Sequence, residues 1–417
     1  MLNKFIKLIL LITLSLAALG GCAVVNSLRM MNANNNITPT WSGKSASSSV
    51  QRQQMPAFYI GEKPYVKVNA NGKELLFLID TGASFTMLFD TPATTSLSFE
   101  QGFSLDISGW GDGDNTPAYQ TQLKQVSIGD IQFNDVKVAY IPVSTSQYYL
   151  LEEEAIFDGV LGHDLLRHFV WTFDKRHQQI TVSASGYEAQ AHDVVIPFEV
   201  ELSKLSIPIE VAFNNMQTVK ERVLIDTGSR HYFKLSSAYL SNNNIQIDGA
   251  SIEAADFGLS GMAKHNRYTL PQLTLGTLTL PKVKANVITS SDEDDWWIIG
   301  SALMNQFVTI VDYPNQQFVV REYANSQYQT KYNLAGLDLR KLRSGQLLVR
   351  YVYPNLAAAK AGMSQGDIVV SINKVPSTNI TEQVWLDMVA KPSTFNMCLQ
   401  NGMCIDLTTH HIERYSN

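Results

Sequence analysis

The sequence predicts a mainly β protein built from two repeated lobes and a smaller third domain. Three observations carry that expectation. An apolar run enters the same motif twice, in "LLFLIDTGASF" (Leu75 to Phe85) and "ERVLIDTGSRHYFKL" (Glu221 to Leu235), which places Asp226 146 residues beyond Asp80. Aligned without gaps, Gly162 to Val182 and Gly300 to Val320 agree at eight of 21 positions, where ordinary composition gives roughly one or two. Short runs such as "YVKVNA", "ELLFLI", "KVAYIPV" and "QITVSA" alternate or are wholly apolar, with Gly, Asn and Asp turns between them.

The elements follow in chain order. "MLNKFIKLILLITLSLAALGGC" places Lys4 and Lys7 before an apolar run and small residues after it, the pattern of a secretory signal over residues 1–21. Leu19-Gly20-Gly21-Cys22 resembles the bacterial lipobox, which implies lipidation of Cys22 and anchorage in the cell envelope. Ala23 in the next position favours an outer-membrane anchor facing the periplasm. Residues 22–55 are rich in Asn, Ser, Thr and Gln and read as a flexible tether, with a pro-segment as the alternative.

The repeat defines lobes at 56–190 and 191–325. Their alignment extends to "SIGDIQFNDVKVAYI" and "TLGTLTLPKVKANVI", whose glycines Gly129 and Gly276 are 147 residues apart. A short helix is expected after Gly162 and after Gly300. If a pseudo-two-fold axis relates the lobes, each motif meets its own copy, so Asp80 and Asp226 come together. Residues 333–413 resemble a bacterial PDZ domain in Gly336-Leu337-Asp338-Leu339, "NLAAAKAGM" and "GDIVVSINKV". That resemblance implies capture of a peptide ligand at Gly336, Leu337, Asp338 and Leu339; the alternative is a module that only packs on the enzyme. Cys398 and Cys404 flank "LQNGM". A three-residue turn ending in Gly402 would set the thiols opposite each other; the pair is either a disulfide or two small apolar residues.

The net charge of −6 argues against a nucleic-acid partner. No glycine-rich phosphate loop or H-E-x-x-H helix is present. Paired D-T-G motifs, each followed by an apolar-apolar-Gly element ("GVLG", "WIIG"), resemble the aspartic peptidases. The lobe length is near the retroviral one and the single-chain fusion is like that of pepsin, so the chain resembles a single-chain retropepsin-like peptidase with a monomeric catalytic unit.

That resemblance implies an endopeptidase acting on protein or peptide substrates with catalytic Asp80 and Asp226. Two carboxylates about 3 Å apart share one proton, activate water and protonate the scissile carbonyl, which requires no cofactor, metal or covalent nucleophile. Thr81 and Thr227 are expected to bond across the axis, and Gly82 and Gly228 to admit backbone N–H groups. Ser229 is expected to donate to Asp226, where Ala83 offers nothing to Asp80. The dyad should therefore titrate roughly a unit higher than one with two such serines. Trp110-Gly111 and Phe257-Gly258 are expected to form two lids over the substrate. Arg230 and His231 could contact Asp226 or substrate. The acidic runs Glu152–Glu154 and Asp292–Asp295 read as solvated loops, or as a cleft rim that favours basic substrates.

Overall fold

The computed structural model describes residues 25–43, 51–289 and 295–411. The signal segment, Cys22 and Asp292 to Asp294 lie outside them. Two hairpins carry the apolar runs that end in the aspartate motifs. In the first, Lys63–Ala70 and Lys73–Ile79 pair antiparallel, with Tyr65 opposite Leu78 and Ala70 opposite Lys73. Their turn is Asn71-Gly72, with φ of 50° and 86°, as a two-residue hairpin connection requires. In the second, Lys204–Ala212 and Thr218–Asp226 pair with Ser206 opposite Leu224, about a longer turn.

The second strand of each hairpin takes a parallel partner from far along the chain. Gly159–Leu161 lies beside Phe77 to Ile79, and Ile298–Gly300 beside Leu224 to Asp226. Met87–Phe89 and Phe233–Ser236 cover the other edges of these inserts. Because both inserts are buried on both faces, "GVLG" and "WIIG" show no alternation. The turns after them are single helical turns, His163–Leu166 and Ser301–Met304.

Long hairpins complete each unit: Thr116–Ile128 with Ile131–Ile141, and Gly261–Leu275 with Leu278–Ile288. Both pair back onto the opening hairpin, Asn69 opposite Ser127 and Val211 opposite Leu273. The resulting nine- and eight-stranded sheets curl into barrel-like form. A six-stranded sheet draws on both halves, with Val170–Asp174 paired to Phe307–Asp312 across its middle.

Residues 337–408 form a separate sheet in the order Leu337–Lys341, Leu347–Val352, Ile368–Ile372, Thr394–Leu399, Cys404–Thr408. Its own apolar core is built around Leu337, Val349, Trp385 and Phe395. Cys398 and Cys404 face each other across a turn containing Gly402 and are disulfide-bonded.

The segment expected to be a flexible tether is docked wherever it is described. Residues 25–32 are helical and bury Met30, while Thr40–Trp41 pairs with Ile131 and Gln132. Arg52–Pro56 is an edge strand of the six-stranded sheet. Hydrogen bonds supply what apolar mass does not. Buried Asn34 donates to the Asp164 carboxylate at 2.6 Å and exchanges bonds of 2.8 and 2.9 Å with the Lys137 backbone. A buried carboxylate needs such donors, and an Asn-rich segment provides them.

Candidate active site

Both motifs leave strands pinned by the inserted apolar element; the Asp80 amide, for instance, donates to Leu161 O at 3.1 Å. Asp80 Oδ1 accepts from the amides of Gly82 and Ala83 at 2.8 and 3.0 Å. Asp226 Oδ1 accepts from the Gly228 amide at 2.9 Å. The two loops then lock together reciprocally. The amide of Thr81 donates to Thr227 Oγ1 at 3.0 Å, and Thr81 Oγ1 donates to Ile225 O at 2.7 Å. The Thr227 amide donates to Thr81 Oγ1 at 3.0 Å, and Thr227 Oγ1 to Ile79 O at 2.7 Å.

Each motif glycine faces the opposing carboxylate. A Cβ at Gly82 would fall 2.6 Å from Asp226 Cγ, and one at Gly228 would run into the Asp80 carboxyl group. Glycine is required here by close approach. Beneath the loops, a Cβ at Gly300 would fall 2.6 Å from Ser229 O.

The two side chains are half-buried and hydrogen-bonded to each other. Burial, then the charge of Asp80, then that hydrogen bond push Asp226 up to about 7, against the opposing pull of Lys204 and Lys63. The pair can therefore hold one proton at neutral pH, which suits it to work as acid and base together. Ser229 does not supply the bond expected of it. Its hydroxyl accepts from the His231 amide at 3.4 Å and its carbonyl accepts from Ser301.

The turns containing Trp110-Gly111 and Phe257-Gly258 meet each other. Ser260 N donates to Trp110 O at 3.1 Å and Gly113 N to Ser260 O at 2.8 Å. Thr116 Oγ1 donates to Leu259 O at 3.0 Å. The Trp110 ring sits edge-on to the His231 ring. Phe257 is not an open lid residue; its ring is buried, with the Arg350 guanidinium 3.6 Å from its centroid.

Arg230 and His231 do not touch Asp226. Arg230 bridges Asp256 at 2.6 Å and Asp338 at 2.7 Å. The His231 ring meets Asn286 at 2.6 Å, and burial lowers its pKa to about 3, so it is uncharged at neutral pH. Arg267 lies 3.1 Å from Asp256. Two arginines thus balance two buried carboxylates, and their charge holds Asp256 well below the usual range despite its burial.

The residues expected to capture a peptide are also committed. Leu337, Asp338 and Leu339 are buried. The amides of Gly336 and Leu337 point at Asn333 Oδ1, at 3.1 and 3.5 Å. Trp385 Nε1 donates to Leu337 O, and the Lys341 amide to Glu382 Oε1, tying the strand to the helix. Of the acidic runs, Glu152 and Glu153 are exposed, as in a solvated loop, whereas Glu154 and Asp295 are not. Glu154 is fully buried against Arg350 at 2.9 Å, the Glu153 carbonyl accepts from Arg343, and Asp295 pairs with buried Lys234.

Sequence reasoning missed Lys63, Lys204 and Tyr148. Lys204 Nζ donates to Gly82 O. Tyr148 OH accepts from Arg340 at 2.8 Å and lies 3.5 Å from Lys63 Nζ. Burial alone would raise the Tyr148 pKa, but Arg340, Lys63, Arg350 and Arg230 outweigh it and bring it to about 7. Among the described residues, no cluster of three His, Cys, Asp or Glu side chains is placed to hold a metal ion.

Comparison with known proteins gives one family match. A family profile described as aspartyl protease matches residues 66–165, a span that holds the first motif, most of its hairpin and the "GVLG" insert. No curated protein matches the sequence. Among solved structures, the aspartic proteinase from Irpex lacteus is similar at 13% identity and a TM-score of 0.42, over 66% of this chain and 98% of that one. Residues 66–165 are thus similar in sequence to the aspartyl protease family.

Proposed function

We propose that the chain is an aspartic endopeptidase in which Asp80 and Asp226, on two pseudo-two-fold-related lobes, activate water for peptide-bond hydrolysis. The observation that carries this reading is the reciprocal lock between Thr81 and Thr227, which sets each motif glycine against the opposing carboxylate. One aspartate is ionised and takes a proton from the attacking water; the other donates to the carbonyl oxygen. General acid–base help of this kind is worth roughly 10²- to 10⁴-fold. The paired turns around Trp110 and Gly258 are the lids that part to admit an extended substrate.

The PDZ-like third domain acts in this reading as a fixed part of the catalytic unit. Its expected ligand loop is satisfied internally and ion-paired to Arg230, which speaks against recruitment through that loop while the domain is docked. The envelope location and the lipid on Cys22 belong to the same proposal; metabolic labelling with a fatty acid, lost in Cys22→Ala, tests them.

Cleavage of a mixed peptide library by wild type, Asp80→Asn and Asp226→Asn tests the chemistry. Loss in both variants supports the dyad. Unchanged cleavage in either one refutes it. A wild type that binds peptides without cutting them turns the chain into a binding scaffold.

A further inference from the structure

Lys63 and Lys204 lie outside both motifs, and the dyad chemistry does not call for them. They nevertheless hold the same place in their two hairpins. Carrying the pairing of Tyr65 with Leu78 two places further sets Lys63 opposite Asp80. Carrying Ser206 with Leu224 two places further sets Lys204 opposite Asp226. The second hairpin has longer strands and a longer turn, so the lysine-to-aspartate spacing differs between the halves and alignment hides the equivalence.

Lys204 Nζ donates to the carbonyl of Gly82, the residue at which a Cβ would run into Asp226. Lys63 is buried, and its ammonium lies 3.5 Å from Tyr148 OH. Removing an ammonium from water costs several kcal/mol after relaxation, so buried Lys63 and half-buried Lys204 each gain from negative charge nearby. Tyr148 faces the Lys63 ammonium, and the charges of both lysines favour the ionised form of Asp226. A positive charge within about 4–6 Å of a carboxylate favours its ionised form by roughly 1–3 pKa units.

We propose, resting on the peptidase reading above, that Lys204 and Lys63 are positioning residues that hold the dyad's negative charge and so set the pH range in which the pair works. Lys204 has the larger share, because it is tied to the opposite motif loop while Lys63 is drawn toward Tyr148. Other titratable groups face the site from neighbouring elements. Tyr313, on the chain just after Phe307–Asp312, senses Asp80 and is kept protonated mainly by burial. His163, on the turn after Gly162, packs against Tyr313 and is lowered to about 4 by burial, Arg167, Lys204 and His168. Tyr148, on the 143–157 loop, faces Lys63, and Arg340 and Arg350 of the third domain face the Tyr148 ring. Of these groups, the two lysines direct positive charge at Asp226, counter to its burial and to Asp80.

Carbon-13 NMR titration of aspartate carboxyl groups in the full chain tests this, with Asp226→Asn identifying the resonance. Lys204→Met is expected to raise the Asp226 titration by about one unit, Lys63→Met by less, and Lys204→Arg to stay close to wild type. The alkaline limb of peptide cleavage should move in the same direction. Titration of both methionine variants with wild type overturns the proposal, as does a shift in Lys204→Arg equal to that in Lys204→Met. If Lys204→Met does not fold, Lys63→Met decides by the same criterion. A wild type whose Asp226 titrates as an ordinary carboxylate refutes the dyad reading itself, a different outcome from a normal dyad indifferent to the lysines.

Discussion

The two aspartate motifs agree through the glycine and diverge at the next residue. After Gly82 the first continues Ala83-Ser84-Phe85, and both Ala83 and Phe85 join an apolar cluster with Met87 and Phe89. After Gly228 the second continues Ser229-Arg230-His231 and enters a buried charge network with Asp256, Arg267 and Asp338. The shared part is what the central contact demands of both sheets: a threonine to lock and a glycine to admit the opposing carboxylate. The divergent part shows which sheet carries the third domain beside its motif. In the first sheet that domain reaches the 148–154 loop instead, through Arg340, Arg343 and Arg350.

The largest expected effect tests that divergence. Arg230→Met leaves Asp256 and Asp338 buried with less compensating charge, and breaking such a pair costs about 3–5 kcal/mol. The equivalent Ser84→Ala, on the apolar side, should stay within about 0.5 kcal/mol. Calorimetry should therefore show Arg230→Met melting about 10 °C lower, with the third domain detaching early, and Ser84→Ala unchanged. Equal melting of the two variants would break the comparison.

The next effect tests the shared part. Gly82→Ala and Gly228→Ala each force a methyl group into the opposing carboxyl group. Misplacing a reacting group by about 1 Å can cost roughly 10²-fold in rate. Both variants should lose turnover by about that factor or more, and by similar amounts, in a peptide-cleavage assay. A large loss in one with a small loss in the other would mean that the two loops are not equivalent at the centre.

The same contrast explains what the sequence made legible. The motifs, inserted elements and paired turns could be read because duplication repeats them at nearly constant spacing, and because Asp, Thr and Gly are needed there for local reasons. Arg230 was visible beside the second motif, but its partner Asp338 lies 108 residues away, and nothing local marks such a pair. The lysines were hidden because hairpin length changes without changing register. The Asn-rich segment misled because composition counts apolar mass, whereas Asn34 is held by hydrogen bonds to Asp164 and Lys137. Gly336 to Leu339 have the right pattern for a ligand loop, but a pattern does not say whether Asn333 already occupies the N–H groups.

The smallest expected effect concerns the pH dependence of stability and also separates the two aspartates. Asp226 keeps its proton up to about 7 in the folded chain, chiefly through burial and the charge of Asp80, whereas an unfolded aspartate releases it near pH 4. Between those values the folded state binds more protons than the unfolded one, so this group's contribution to stability falls as pH rises and levels off above about 7. Asn at 226 cannot ionise and can still donate to Asp80. Asp226→Asn should therefore melt close to wild type near pH 4 and a few degrees above it at pH 8, as read by circular dichroism across that range. A constant difference at all pH values would place the raised titration elsewhere than on Asp226.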